Sequence, residues 1–80
     1  MTATVKTPLP GTFYRRPSPE AAPFVEEGDT IAAGEVVGLI EIMKTFHEIH
    51  SDADGVVARF LVENEELVEA GQDIIALEPS

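Results

Sequence analysis

The sequence predicts an all-β fold, a sandwich or flattened barrel of short strands. Three observations carry that expectation. The apolar runs are short and rich in Val and Ile, and glycine or acid-rich turns interrupt them. Such turns are Glu27-Gly28-Asp29, Ala33-Gly34, Asp52-Ala53-Asp54-Gly55, Glu63-Asn64-Glu65-Glu66 and Ala70-Gly71. No window sustains the apolar spacing of an amphipathic helix over several turns. The chain also nearly repeats itself.

Taken in order, residues 1–9 form an N-terminal extension or a first strand, with weak strand character at 4–6. Residues 11–14, Gly-Thr-Phe-Tyr, read as a strand. The stretch from Tyr14 to Pro23 holds Pro17, Pro19 and Pro23, which lack backbone donors and resist ladder pairing. It should therefore protrude as a loop. A strand is expected at 24–25, then a short one around Ile31. Residues 36–43 and 45–51 read as two strands because the continuous span is too long for one. Further strands follow at 56–62 and 73–77, with a short one around Val68 between them.

The junction of the two central strands falls at Met43-Lys44. A two-residue hairpin favours Asn-Gly or Asp-Gly, because both positions need positive φ. Met-Lys is a poor choice by that criterion. Local propensity overridden in this way is one sign of function. The alternative is a lysine that discourages aggregation on an edge strand.

The repeat has two offsets. Placing Gly34 on Gly71, an offset of 37, pairs Val25 with Val62, Glu26 with Glu63, Ala33 with Ala70 and Glu41 with Glu78. Upstream the offset is 44, which sets Gly11 on Gly55, Phe13 on Val57 and Val5 on Ile49. Two equivalent halves about a pseudo-two-fold axis follow. The first half holds seven extra residues, located in 14–23. By the same symmetry Lys44 lies at one end of the molecule and both termini at the other.

Eighty residues make a single domain, 1–80, with a thin core. Without cysteine there is no disulfide, thiol nucleophile or cysteine metal site. A net charge of −10 argues against nucleic acid and anionic membrane as partners. No apolar run approaches the roughly 20 residues of a membrane span, and the N-terminus lacks the shape of a signal peptide. A soluble, cytoplasmic module is expected. His47 and His50 face opposite sides of a strand, which is poor metal geometry, so no metal site is assigned. The acidic turns lack the spacing of a calcium loop, and nothing marks a catalytic triad. Arg15 and Arg16 form a small basic spot, read either as solvated loop or as contact with an acidic partner or a carboxylated cofactor.

Glu41-Ile42-Met43-Lys44, preceded by Gly38-Leu39-Ile40, resembles the attachment site of biotinyl carrier domains. Pro10-Gly11-Thr12-Phe13-Tyr14-Arg15, followed by Pro17-Ser18-Pro19-Glu20-Ala21, is the more specific match. It resembles the biotin carboxyl carrier proteins of acetyl-CoA carboxylase, including their protruding thumb. Phe24-Val25-Glu26, Gly28-Asp29, Gly34, Asn64 and Gly71 extend the likeness. Ile42 stands where that family usually has alanine, Thr45 where it has methionine, and Arg16 where the thumb has a smaller residue.

The resemblance implies the biotinyl/lipoyl-carrier (hammerhead) fold. That is a flattened barrel of two four-stranded antiparallel sheets, with a thumb near Tyr14–Pro23. It implies covalent biotin on Lys44, flanked by Glu41, Ile42, Met43 and Thr45, and loaded by a biotin protein ligase. It also implies a non-catalytic carrier, monomeric in isolation. Such a carrier moves CO₂ from biotin carboxylase to a carboxyltransferase, in acetyl-CoA carboxylase or a related carboxylase. An exposed lysine is mostly protonated at neutral pH, so it depends on an activated acid supplied by the ligase. Two alternatives stay open: a lipoyl carrier of the same fold, and an unmodified structural domain. Lipoyl domains usually have Asp where this chain has Met43.

Overall fold

A computed structural model describes residues 3–79. Eight strands follow in order: β1 (Ala3–Lys6), β2 (Gly11–Tyr14), β3 (Thr30–Ile31), β4 (Val36–Ile42), β5 (Thr45–His50), β6 (Gly55–Phe60), β7 (Leu67–Val68) and β8 (Asp73–Glu78). They form two four-stranded antiparallel sheets, ordered β1-β8-β6-β3 and β5-β4-β2-β7. Residues 1 and 2 of the expected N-terminal extension lie outside the described residues.

The two offsets read from the sequence reproduce this topology. Thr12 pairs with Glu41 and Phe13 with Ile40; in the other sheet Val56 pairs with Glu78 and Val57 with Leu77. Gly11 faces Val68 as Gly55 faces Ile31. The match extends to an irregularity, for β4–β5 and β1–β8 shift register at equivalent positions. Even the buried polar groups repeat. Thr7 and Ser51 occupy equivalent turns, donating their hydroxyls to Leu9 C=O at 2.7 Å and Ala53 C=O at 2.6 Å. Each thereby pairs a carbonyl that the turn would otherwise leave unsatisfied.

Side chains alternate between core and surface, as strand geometry requires. Val5, Phe13, Val37, Ile40, Ile49, Val57, Ile74, Ile75 and Leu77 fill the space between the sheets. The halves fill it differently. In the first, Gly38 makes room for the Phe13 ring: a Cβ there would come within 2.6 Å of Phe13 Cε1. At the equivalent positions the second half uses Ile75 and Val57, both buried. A large and a small residue in one half thus replace two medium ones in the other, conserving volume.

Two expectations need correction. Residues 24–25 form no strand. Phe24 N–H is engaged by Arg15 C=O at 2.9 Å, so it joins no ladder, while Val25 caps the core. The strand expected at 56–62 ends at Phe60: pairing with β8 continues past a register shift between Val57 and Arg59, and after the Leu61 N–H bond to Ile74 C=O at 2.8 Å the chain leaves the sheet. Val62, the counterpart of Val25, likewise caps the core from outside a strand.

Candidate functional site

β4 and β5 pair to their ends, with Ile42 opposite Thr45, leaving Met43-Lys44 as a two-residue turn. Met43 has φ 48° and Lys44 φ 67°, so both occupy the left-handed region. Two consecutive positive φ values match the right-handed twist of the flanking strands. Non-glycine residues adopt them at a cost of about 1–2 kcal/mol each. The sequence offers no local compensation, since Met43 is 92% exposed and Lys44 is exposed as well.

Beneath the turn, Ile42 packs against the core and anchors it, while Thr45 is exposed. Glu41 lies on the outer face and accepts a hydrogen bond at 2.8 Å from the phenol of Tyr14. The Tyr14 ring sits 5.8 Å from that of Phe46, tilted by 60°. One tyrosine therefore touches both arms of the hairpin, β4 through Glu41 and β5 through Phe46. Its phenol is pushed above the ordinary tyrosine range. The first cause is the bond donated to Glu41, which the ionised form would lose. Burial and the charges of Glu41 and Glu65 add to it. Sequence reasoning did not single out Tyr14 or Phe46 for this role. The available signal was parity: with Phe13 inward, Tyr14 must point outward, onto the face that holds Glu41.

The two lysines have different surroundings. Lys6 Nζ pairs with Asp73 and lies 3.4 Å from Thr4 Oγ1, which itself donates to Asp73. Together they hold the Asp73 carboxyl below the usual range. Lys44 Nζ makes no hydrogen bond or ion pair among the described residues. β1 starts beside Leu77 and runs toward the loop feeding Gly11, which lies against Glu41 and Ile42. The described chain ends thus sit at the far end of the barrel from Lys44.

The loop expected at 14–23 leaves β2 at Tyr14 and returns at Phe24, without ladder pairing between. Pro17 and Phe24 line a groove of about 780 Å³ with Leu39 and Phe46, on the outer face of β4 and β5. Arg16 lies in this loop, its Nη1 3.4 Å from Ala21 C=O. His47 is half-buried, and His50 Nε2 stands 3.8 Å from Glu48 Oε1. Among the described residues no three His, Cys, Asp or Glu side chains gather as a metal site. No helix among them is long and apolar enough to cross a membrane.

This arrangement agrees with what known proteins show. Residues 3–77 match a family profile described as "Biotin-requiring enzyme". The biotin carboxyl carrier protein of acetyl-CoA carboxylase from Nostoc sp. is 47% identical over 77 residues, which are 96% of this chain and 42% of that protein. The protein of the same name from Streptococcus pyogenes is 40% identical over 73 residues, covering 91% of this chain and 44% of its own length. This chain therefore spans less than half of those relatives. A crystal structure of urea carboxylase from Kluyveromyces lactis superposes on 98% of this chain, 6% of its own, with a TM-score of 0.75 and 26% identity. With the family profile matched across nearly its whole length, the chain belongs to the biotin/lipoyl family of biotin-requiring proteins.

Proposed function

We propose that residues 1–80 are a single carrier module and that biotin is joined by an amide bond to Nζ of Lys44. The observation that carries this reading is the contrast between the two lysines. Lys6 is engaged by Asp73, whereas Lys44 stands at the end of a stiff hairpin with its amine clear of other described groups. An amide needs such an amine, reachable by a second protein and uninvolved in the fold. The turn also holds the Lys44 backbone in one place, because both left-handed residues lie between paired strands. The likeness to carriers of acetyl-CoA carboxylase supports the same assignment.

In this reading biotin, when bound, supplies the chemistry of holding and releasing a carboxyl group. The protein supplies position. Glu41, Ile42, Met43 and Thr45 present the lysine: Ile42 anchors the hairpin on the core, and Glu41 fixes its outer face through Tyr14. A biotin protein ligase loads the amine. The module then serves a biotin carboxylase and a carboxyltransferase in the cytoplasm, without catalysis of its own. The acceptor is acetyl-CoA, for fatty acid biosynthesis, or that of a related carboxylase. Tethering keeps the carried group at an effective concentration in the millimolar range at each site. The isolated module is a monomer.

The test uses the loaded chain with biotin carboxylase, ATP and labelled bicarbonate. Acid-labile label should appear on the wild-type chain and none on Lys44→Arg. Label on Lys44→Arg, or its absence from a loaded wild-type chain, overturns the proposal.

A further inference from the structure

We propose that Arg15 is a positioning residue, which locks the loop 16–23 from its root and makes that loop and the lysine hairpin one rigid unit. Arg15 is held through both its backbone and its guanidinium, with Nε alone buried without a partner. Its C=O accepts Phe24 N–H at 2.9 Å, closing the loop. Its own N–H donates to Asn64 Oδ1 at 2.8 Å. Its guanidinium lies 4.2 Å from the centre of the Phe60 ring, and Nη2 donates to Val62 C=O at 2.9 Å. The Arg15–Glu63 pair, at 3.8 Å with Glu63 largely exposed, adds little.

The repeat explains why these partners are available. The segment Phe60 to Asn64 is the counterpart of the chain around Pro23 to Glu27, where the loop re-enters the barrel. The second half crosses this region directly and caps the core with Val62, as Val25 does in the first. The insertion has no counterpart to pack on, so its root is tied to the direct path of the other half. Arg59, which the offset of 44 sets against Arg15, is exposed in β6 opposite Ala76, the place that Tyr14 takes opposite Leu39 in the first half. One half thus uses its arginine as a tie and the other leaves it in solvent.

The tie extends to the hairpin. Tyr14 precedes Arg15, and its phenol and ring meet Glu41 and Phe46. Fixing the Arg15 backbone fixes where Tyr14 leaves β2. The tie's use in function rests on the carrier reading above: a partner that grips the hairpin then meets the loop at a set place. Lysine cannot replace arginine here, because an ammonium lacks the planar face that lies over Phe60 while Nη2 reaches Val62 C=O.

Amide exchange followed by NMR tests the proposal on Arg15→Met, Arg15→Lys and Asn64→Ala. The reporters are the N–H groups of Ala21 and Phe24, bonded within the loop, against Ile40 and Ile75 in the core. Losing one charge-assisted bond should speed exchange at the loop reporters about tenfold in both Arg15 variants, with the core reporters unchanged. Asn64→Ala, which leaves the side chain of Arg15 intact, should show the same direction more weakly. Tyr14 is the sole tyrosine and there is no tryptophan, so near-ultraviolet absorbance reads its phenol cleanly. Its ionisation should move down toward the ordinary value in Arg15→Met at pH values where the Ile40 and Ile75 reporters show the core intact, which separates it from general unfolding. Unchanged loop exchange and an unchanged Tyr14 titration in Arg15→Met overturn the proposal, as does full rescue by lysine. Loading of Lys44 by the ligase is followed by mass in parallel. Failure of the wild-type chain to load counts against the carrier reading and leaves the exchange result to judge Arg15.

Discussion

Replacing Met43-Lys44 by Asn-Gly should make the domain more stable while removing its amine. Both residues sit in the left-handed region, at φ 48° and 67°. At about 1–2 kcal/mol for each non-glycine residue, the turn holds roughly 2–4 kcal/mol of backbone cost. Neither side chain recovers it, since both are exposed. Glycine at 44 relieves its share but adds about 0.5–1 kcal/mol of unfolded-chain entropy. Asparagine at 43 relieves part of the remainder. The net gain is about 1–2 kcal/mol, which in a domain of this size raises Tm by roughly 5–15 °C. Thermal unfolding followed by circular dichroism measures it. The single variant Met43→Asn should gain about half as much and keep the lysine. A double variant with a Tm equal to or below that of the parent would refute the reasoning: the hairpin would then carry no cost that a function has to justify.

Other outcomes follow from packing and charge. Gly38→Ala places a Cβ 2.6 Å from Phe13 Cε1 and 3.1 Å from Tyr14 C=O, and neither neighbour can retreat. It should cost about 1–3 kcal/mol in urea unfolding. Thr7→Val keeps the volume but leaves Leu9 C=O without its 2.7 Å bond, a loss of about 1–3 kcal/mol by the same measurement. The Asp73 carboxyl is held low first by Lys6 and then by Thr4, so its contribution is present above the ordinary carboxylate range near about 3.9. It is lost as pH falls through the lower folded value, and Asp73→Asn should flatten the acid limb of a stability–pH curve. Tyr14 has the opposite sign. Its raised folded value stabilises below about 10 and is lost as pH rises beyond it, so Tyr14→Phe should flatten the alkaline limb.

Much of the topology was legible because the chain carries it twice. The offsets of 37 and 44 align β3 with β7, β4 with β8, and β2 with β6, and strand pairing follows those alignments until a register shift after Val57 in β6, which β2 lacks. Gly11 and Gly55 illustrate why such a signal survives in sequence. A Cβ at either would strike the carbonyl of an equivalent residue, Glu41 at 2.4 Å or Glu78 at 2.8 Å. What stayed hidden was whatever depends on side-chain volume across the core. The exchange of Gly38 for Ile75 erases the repeat at that position, and only the packing shows that Phe13 against Val57 compensates its volume. Residues 24–25 looked like a strand because Phe-Val fits a pleated surface. Pattern does not reveal that Arg15 claims the Phe24 N–H from outside.

The site divides in the same way. The turn at Met43-Lys44 could be placed from strand length alone, and its poor fit to turn propensity marked it out. The Tyr14–Glu41 bond spans residues 27 apart in sequence and exists only once β2 lies against β4. Likewise, nothing local shows that the Lys6 amine is engaged and the Lys44 amine is not. The distinction comes from Asp73, which the fold brings to Lys6 from the other end of the chain.

The central claim is that Lys44 is the modified amine. Its most direct test is intact mass and peptide mapping after incubation with biotin, ATP and a biotin protein ligase. A single biotinyl group should appear, on the peptide that contains Lys44, with Lys6 unmodified. A chain that stays unmodified beside a control substrate that loads, or biotin found on Lys6, would contradict the account.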